Sequence, residues 1–281
     1  MNIGFIGAGK VGFSLGKYFS TKNKIVEGYY SHNYQSSVEA AKFTNSKAYR
    51  NLEELVMKSN IIFITTPDDY IADIWEEIKN FQIEGKIICH TSGSLSSKIF
   101  SGINKLGAFS YSVHPMFPFS DKYETYKKLN NIHFTIEGHD KYLSHMKQFL
   151  ESLGNKTLSI DSDKKSLYHL GNVTVSNLVI ALIDSGSKYL EKCGIDKHTA
   201  LEAMYPLIKS NIENIGERGI TSSLTGPIER GDKKTIEKHM EVIPSENKKL
   251  YKSLSLQLLE IAKIKNKNRN YSKLQEYLEE I

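Results

Sequence analysis

MNIGFIGAGKVG, residues 1–12, is the stretch that decides the fold. Its apolar start predicts a β-strand over residues 2–6, and a glycine-rich turn then leads into a segment with the apolar spacing of a helix. This order is typical of dinucleotide folds, because the turn lets the backbone approach a pyrophosphate and the helix start offers free N–H groups. The predicted cofactor contacts here are Gly7, Ala8, Gly9, Lys10, Val11 and Gly12.

The residues after the second predicted strand favour NADP(H) over NAD(H). The strand covers residues 25–30, and an acid at its end would bind the ribose 2′-hydroxyl of NAD. Ser31-His32-Asn33 follows instead, and these neutral or cationic donors tolerate or bind a 2′-phosphate. Glu27 is the alternative acid, but it lies several residues too early in the strand. Ser31 and His32 are therefore predicted cofactor contacts, and NADP(H) is the predicted cofactor.

Strands and helices alternate through the first half of the chain, which predicts an α/β fold with a doubly wound, mostly parallel Rossmann sheet. In such sheets, ligands bind beyond the carboxyl ends of the strands. Three segments bring polar groups to that edge: residues 65–68, 90–93 and 112–115. Thr65, Thr66, Pro67 and Ser92 are predicted cofactor contacts, and His90 and His114 are predicted catalytic residues.

Each of these segments also has a purely structural interpretation. Thr66-Pro67-Asp68 carries ordinary signals of a helix start, a role that is compatible with cofactor contact. Either His90 or His114, taken alone, is more often a histidine that backbone carbonyls satisfy at a strand end. Their position at the same predicted edge is what makes them a candidate site.

The second half of the chain is helical, which predicts domains over residues 1–160 and 161–281. A long helix over residues 164–193 has an apolar face, and its polar residues recur at steps of four, three and four, on one face. That stripe consists of Lys165, His169, Asn172 and Ser176. It is either a solvent-facing side or the wall of a cleft that faces the nicotinamide, since unpaired buried polar groups cost ~1–3 kcal/mol each.

The stripe supplies most of the remaining predicted site residues. His169 and Asn172 are predicted to be catalytic, and Lys165 and Ser176 to bind substrate. Arg230, in a cluster of glycine, proline and charge over residues 224–232, is a third predicted substrate contact. The alternative for that cluster is a rigid turn followed by a helix cap.

Composition narrows the class of protein. The net charge of +5 is spread along the chain, which suits an anionic cofactor and argues only weakly for nucleic acid, so no nucleic-acid partner is predicted. Two cysteines without C-x-x-C spacing predict neither a disulfide framework nor a metal site. The first residues lack the charged region of a signal peptide, and the most apolar helix falls short of the ~20 residues that span a bilayer. These features predict a cytoplasmic protein without a membrane partner.

These motifs resemble the Rossmann-like proteins with a C-terminal DUF2520 domain, often labelled NADP or F420-dependent NADP oxidoreductases. More broadly, the chain is similar to the 6-phosphogluconate dehydrogenase-like superfamily. The resemblance implies an all-α C-terminal domain that supplies the substrate side of a cleft and the contact of a homodimer. The residues that carry it are Gly7, Gly9, Gly12, His90, Ser92, Gly93, His114, Pro115, Phe119, Ser120, Asp121, Tyr168, His169, Ser176, Asn177, Thr225, Gly226, Pro227, Arg230, Gly231 and Asp232.

One departure limits what this resemblance implies. The β-hydroxyacid dehydrogenases of the superfamily use a catalytic Lys followed by Asn on the long helix, and His169-x-x-Asn172 places His169 at the matching position. Their lysine chemistry and hydroxyacid substrates are therefore not expected here.

The predicted function is NADP(H)-dependent transfer of hydride to or from a small carbonyl or imine substrate. His169 would donate the proton, because imidazole titrates near physiological pH. The alternative is a non-catalytic NADP-binding sensor or interaction protein. Reduction of a deazaflavin such as F420 rests on the family label alone.

Overall fold

The computed structural model describes residues 1–280, and within them eight strands form one sheet. The strand order is β3-β2-β1-β4-β5-β6-β7-β8, and neighbouring strands are parallel except β6 and β7. The strands are β1 Asn2–Ile6, β2 Ile25–Tyr30, β3 Lys47–Tyr49, β4 Ile61–Ile64, β5 Ile87–His90, β6 Phe109–Pro115, β7 His133–Gly138 and β8 Lys156–Ser159. This arrangement confirms the predicted α/β, doubly wound and mostly parallel sheet.

Helices connect the strands and then make up the rest of the chain. Those that accompany the sheet are α1 Lys10–Thr21, α2 Tyr34–Thr44, α3 Leu52–Lys58, α4 Ile71–Ile78, α5 Asp140–Glu151 and α6 Lys165–Val175. Those that follow are α7 Asn177–Lys192, α8 Lys197–Ser223, α9 Pro227–Arg230, α10 Lys233–Val242, α11 Lys248–Lys265 and α12 Ser272–Glu280. The helical second half confirms the predicted all-α C-terminal part.

Both faces of the sheet are covered, as a parallel sheet requires. Successive residues of a strand point to opposite faces, so Phe5 joins one buried cluster and Ile6 the other. Phe5 stacks between Tyr29 and Phe63, with ring centroids 5.2 and 5.7 Å away. The two apolar clusters hold the strands in register and so fix the positions of their carboxyl ends.

The chain forms two compact units, Met1–Val179 and Ile180–Ile281. The first unit contains the sheet together with α6. The domain boundary predicted after residue 160 rests on the change from mixed to helical sequence. It stays a prediction. The division into compact units places α6 with the sheet, whereas the predicted boundary places it in the helical domain.

The predicted long helix corresponds to two helices of the structure, α6 and α7, which meet at Ser176 (φ −118°, ψ −77°). Its apolar face is exposed in the single chain, by 69% at Leu167 and 56% at Leu170. These leucines are exposed because α6 contacts the sheet through hydrogen bonds of its polar side chains and not through its apolar face.

Residues Ser162–Lys192 are long and apolar enough to cross a membrane, with a mean hydropathy of 1.4. One such helix is weak evidence for a membrane span. Its first turn carries a lysine that is 2% exposed and bonded to the sheet.

Candidate functional site

The glycine turn joins the ends of β1, β2 and β4. Gly7 donates its N–H to the Tyr30 carbonyl at 2.8 Å and has a φ of +102°. A Cβ at Gly7 would lie 3.0 Å from backbone atoms of Thr65 and Thr66, so the position requires glycine. Thr65 Oγ1 donates to the Gly7 carbonyl at 2.8 Å. Thr65, predicted as a cofactor contact, thus fixes the turn.

The outer side of this turn is open. No heavy atom lies within 4 Å of the position that a Cβ would take on Gly9, and no side chain caps α1. The adjacent hydroxyl Oγ1 of Thr66 is buried without a hydrogen-bond partner among residues 1–280. Free N–H groups, an open approach and an unpaired hydroxyl fit a pyrophosphate group. Lys10 is exposed at the helix start, whereas Ala8 is buried.

A basic residue that sequence reasoning missed lies at the next strand end. Tyr30 of β2 pairs with Tyr49 of β3, so Ser31 and Arg50 follow at equivalent positions of neighbouring parallel strands. The guanidinium of Arg50 lies 3.7 Å from the ring centroid of Tyr34, and no salt bridge occupies it within the described chain. Like Arg50, the predicted His32 is exposed. Strand β3 has only three residues, too few for its pattern to be recognised.

A hydroxyl and carboxylate cluster follows β4 and β5. Asp68 Oδ2 accepts hydrogen bonds from Ser92 Oγ at 2.6 Å and Ser94 Oγ at 2.7 Å. Ser92 Oγ also accepts the backbone N–H groups of Ser94 and Leu95. Pro67 precedes a 3-10 turn that begins at Asp68, so the helix-start interpretation of this segment holds. Ser92, predicted as a cofactor contact, is engaged in shaping its loop.

His90 faces the protein interior. It is 0% exposed, its Nδ1 accepts the Ser92 N–H at 3.2 Å, and burial lowers the pKa of its imidazole to about 4. Its Nε2 has no hydrogen-bond partner among the described residues. This placement indicates that His90 positions the loop of Ser92, and its predicted catalytic role stays a prediction.

Lys165 is also buried, with 2% of its surface exposed. Its Nζ donates to the Ser92 carbonyl at 3.0 Å and to Ser112 Oγ at 2.8 Å. Burial lowers the pKa of this ammonium to about 8, and the carboxylates of Glu137 and Asp68 oppose that shift. Lys165 therefore connects α6 to the loop after β5 and to the middle of β6, and its predicted substrate contact stays a prediction.

His114 and His169 converge on Gly93. The position of a Cβ on Gly93 would lie 3.0 Å from His114 Nε2 and 2.8 Å from His169 Cδ2. His114 Nδ1 lies 2.7 Å from the Tyr168 hydroxyl, which accepts a hydrogen bond from Thr135 Oγ1 at 2.8 Å. Burial, and then the charge of Lys165, lower the pKa of His114 to about 4.

The other predicted residues contribute less to this geometry. Asn172 Nδ2 donates to the Tyr168 carbonyl at 2.9 Å, and exposed Ser176 donates to the Asn172 carbonyl at 2.6 Å. Arg230 ends α9 in the second unit and is exposed. Within residues 1–280, no group of three or more His, Cys, Asp or Glu side chains could hold a metal ion.

Family comparisons agree with the architecture. Residues 1–115 match the family model of a Rossmann-like domain, and residues 132–258 match that of DUF2520, a domain of unknown function. These matches confirm the resemblance that the motifs predict, and they are consistent with the 6-phosphogluconate dehydrogenase-like superfamily. A search of the curated proteins gave no match.

Solved structures share the whole fold. A candidate NADP oxidoreductase from Bacteroides fragilis is 23% identical, with a TM-score of 0.74 over 92% of this chain and 98% of that one. Protein TM1727 from Thermotoga maritima is 27% identical, with a TM-score of 0.74 over 94% and 99%. Plasmodium falciparum pyrroline carboxylate reductase, solved with NADP bound, is 16% identical, with a TM-score of 0.62 over 93% and 95%.

We expect the free energy of unfolding to fall as the pH drops from about 6.5 to 4. The unfolded chain takes up protons on His90 and His114 near their ordinary pKa of 6.5, whereas the folded chain resists them until about pH 4. Each histidine adds a slope of up to about 1.4 kcal/mol per pH unit. Urea unfolding at several pH values between about 7 and 5 measures this slope.

The variant His114→Gln should show a shallower slope than the wild type over the same range. His145→Gln is the matched control, because His145 is exposed on α5. Equal slopes in the wild type and His114→Gln would contradict the buried, neutral state of His114.

Proposed function

We propose that this chain, which combines a Rossmann-like domain with a DUF2520 domain, is an NADP(H)-dependent oxidoreductase acting on a small carbonyl or imine substrate. The observation that carries the proposal is the meeting of His114 and His169 at Gly93, on the same sheet edge as the open glycine turn. Ligands of doubly wound sheets bind at that edge.

Residues on three strand ends would hold the cofactor. The N–H groups at the start of α1 and the Thr66 hydroxyl would bind the pyrophosphate. Ser31, His32 and Arg50 would bind the 2′-phosphate, since a guanidinium matches phosphate geometry. When bound, NADPH supplies hydride to the substrate.

The chain's own residues supply the proton and the orientation. His169, as its imidazolium, would donate a proton to the oxygen or nitrogen that gains charge during reduction. Gly93 lets the two imidazoles approach each other closely, because a Cβ there would lie only 2.8 Å from His169 and 3.0 Å from His114. Ser176 and Arg230 remain predicted substrate contacts.

Imines come first in a substrate screen. Among structures with the same fold are an imine reductase from Streptomyces aurantiacus and a reductive aminase from Aspergillus terreus with NADPH. Binding of NADPH without turnover of any carbonyl or imine would favour the alternative, an NADP-binding sensor.

The proposal extends to a homodimer formed through the helical domain. Segment α8, Lys197–Ser223, is kinked at Gly219 (φ +78°, ψ +167°), and only Ala200 of it is buried in the single chain. An exposed apolar surface of this extent indicates a binding partner, and a second copy of the chain would bury it. Burial in a membrane would instead place Lys165, which is hydrogen-bonded to the sheet, in lipid. The exposed apolar residues of α8 are Leu201, Tyr205, Leu207, Ile212, Ile215 and Ile220. Residues 1–160 would then bind the cofactor, and residues 161–281 would bind substrate and dimerise, in a cytoplasmic enzyme.

Replacing His169 by Gln should lower turnover by about 10²-fold or more, the usual contribution of a positioned general acid. Affinity for NADPH should stay within about twofold of the wild type, because His169 lies on α6 and not at the glycine turn. Turnover comes from NADPH oxidation during an imine and carbonyl screen, and affinity from NADPH fluorescence. His145→Gln serves as the control, and unaltered turnover in His169→Gln would remove His169 from the reaction.

Replacing Leu207 and Ile212 by Glu should convert the dimer to a monomer. Their side chains are 65% and 59% exposed in one chain, and a charge buried without a partner at the interface is costly. Sedimentation velocity of the full chain measures the change, with Met57→Glu on α3 as the matched control. A wild-type protein that sediments as a monomer would contradict the dimer.

A further inference from the structure

We propose that Tyr168 and Thr135 hold His114 as the neutral tautomer with its proton on Nε2, so that the ring presents an N–H donor beside Gly93. Nothing in the motifs assigns a role to Thr135, and Tyr168 enters them only as a neighbour of His169. The tautomer itself is independent of the reaction. That this N–H meets the oxygen or nitrogen of a polarised double bond rests on the proposed function.

The Tyr168 hydroxyl accepts one hydrogen bond and has one proton to donate. Thr135 Oγ1 lies 2.8 Å from the Tyr168 hydroxyl, and its other acceptor, the His114 carbonyl, is 3.5 Å away. The shorter contact takes the Thr135 proton, because hydrogen bonds between oxygens are normally 2.5–3.0 Å long. Tyr168 therefore accepts from Thr135 and keeps its own proton for another partner.

That partner is the ring of His114. Nδ1 lies 2.7 Å from the Tyr168 hydroxyl, and the two rings meet nearly edge to face, at 84°. A neutral imidazole has one nitrogen that donates and one that accepts. Because Nδ1 accepts from Tyr168, the proton of the neutral ring lies on Nε2.

The surroundings keep both groups in these states. Burial, with the nearby ammonium of Lys165, lowers the pKa of His114 and disfavours its doubly protonated form. Burial also raises the pKa of Tyr168, so the phenol keeps the proton that it donates. Lys165 bonds to Ser92 and Ser112, and it offers no acceptor to either ring.

The other side of the ring lies against Gly93. His114 Nε2 has no hydrogen-bond partner among residues 1–280, and Gly93 beside it has no side chain. A neutral N–H donor at this point polarises a C=O or C=N bond without giving up its proton. His169 is then left as the group that transfers one, and the two histidines have different roles.

The direct test is the protonation pattern of His114 in the full chain. Protein labelled with ¹⁵N-histidine is examined by long-range ¹H–¹⁵N correlation, and the resonances missing from His114→Gln identify His114. We expect Nδ1 to resonate as an unprotonated, hydrogen-bonded nitrogen and Nε2 as a protonated one. A protonated Nδ1 would overturn the proposal.

Variants of the two positioning residues make the test specific. In Tyr168→Phe the fixed pattern should give way to an average of both tautomers, and in Thr135→Val it should weaken. Thr135→Ser, which keeps the hydroxyl, should restore it. Tyr70→Phe removes a hydroxyl from a side chain that is 58% exposed and should change nothing. A wild-type tautomer in Tyr168→Phe would show that Tyr168 does not set it.

The readouts separate this inference from the proposed function. If NADPH binds and imines are reduced, Tyr168→Phe should lower kcat by roughly tenfold with the NADPH Kd unchanged, because one hydrogen bond of about 1.4 kcal/mol is tenfold in rate. The expected tautomer in a protein that turns over no substrate would count against the enzyme but not against the arrangement of His114. An Nδ1–H tautomer in an active reductase would reject only the inference.

Discussion

The site depends on the buried ammonium of Lys165. A charge removed from water is costly unless it is paired or hydrogen-bonded, and Lys165 offsets that cost with the Ser92 carbonyl and the Ser112 hydroxyl. Ser92 lies in the loop after β5 and Ser112 in the middle of β6, so the lysine fixes the first turn of α6 to the sheet. Tyr168 and His169 follow within the next turn, where Tyr168 bonds to His114 and His169 lies against Gly93.

The sheet edge brings two kinds of chemistry together. The turn around Gly9 offers free backbone donors and open space, as a pyrophosphate requires. The loop after β5 is held by Asp68 and His90 and places Gly93 between two imidazoles. Most buried polar groups around that loop are hydrogen-bonded to one another.

Sequence predicted the parts of this arrangement that local rules determine. The strand, glycine turn and helix start over residues 1–12 could be predicted, because the spacing of the three glycines is what a tight turn before a helix requires. Arg50 could not, because β3 is too short to show a period. The role of Lys165 could not be predicted either. A polar stripe shows which side chains share a helix face, but it does not show which acceptors they bond to. The exposed leucines of α6 show most clearly what sequence periodicity cannot predict. Periodicity predicts an apolar face, but it does not show whether the same chain buries that face.

The most direct test of the central claim is calorimetric titration of NADPH, NADH, NADP and NAD into the wild type and Gly9→Glu. Gly9 faces open space, so the variant should fold normally while its carboxylate occupies the approach of the pyrophosphate and repels it. We expect the wild type to bind NADPH more tightly than NADH, and Gly9→Glu to lose NADPH binding. Absence of binding by all four dinucleotides, or equal NADPH affinity in the two proteins, would contradict it.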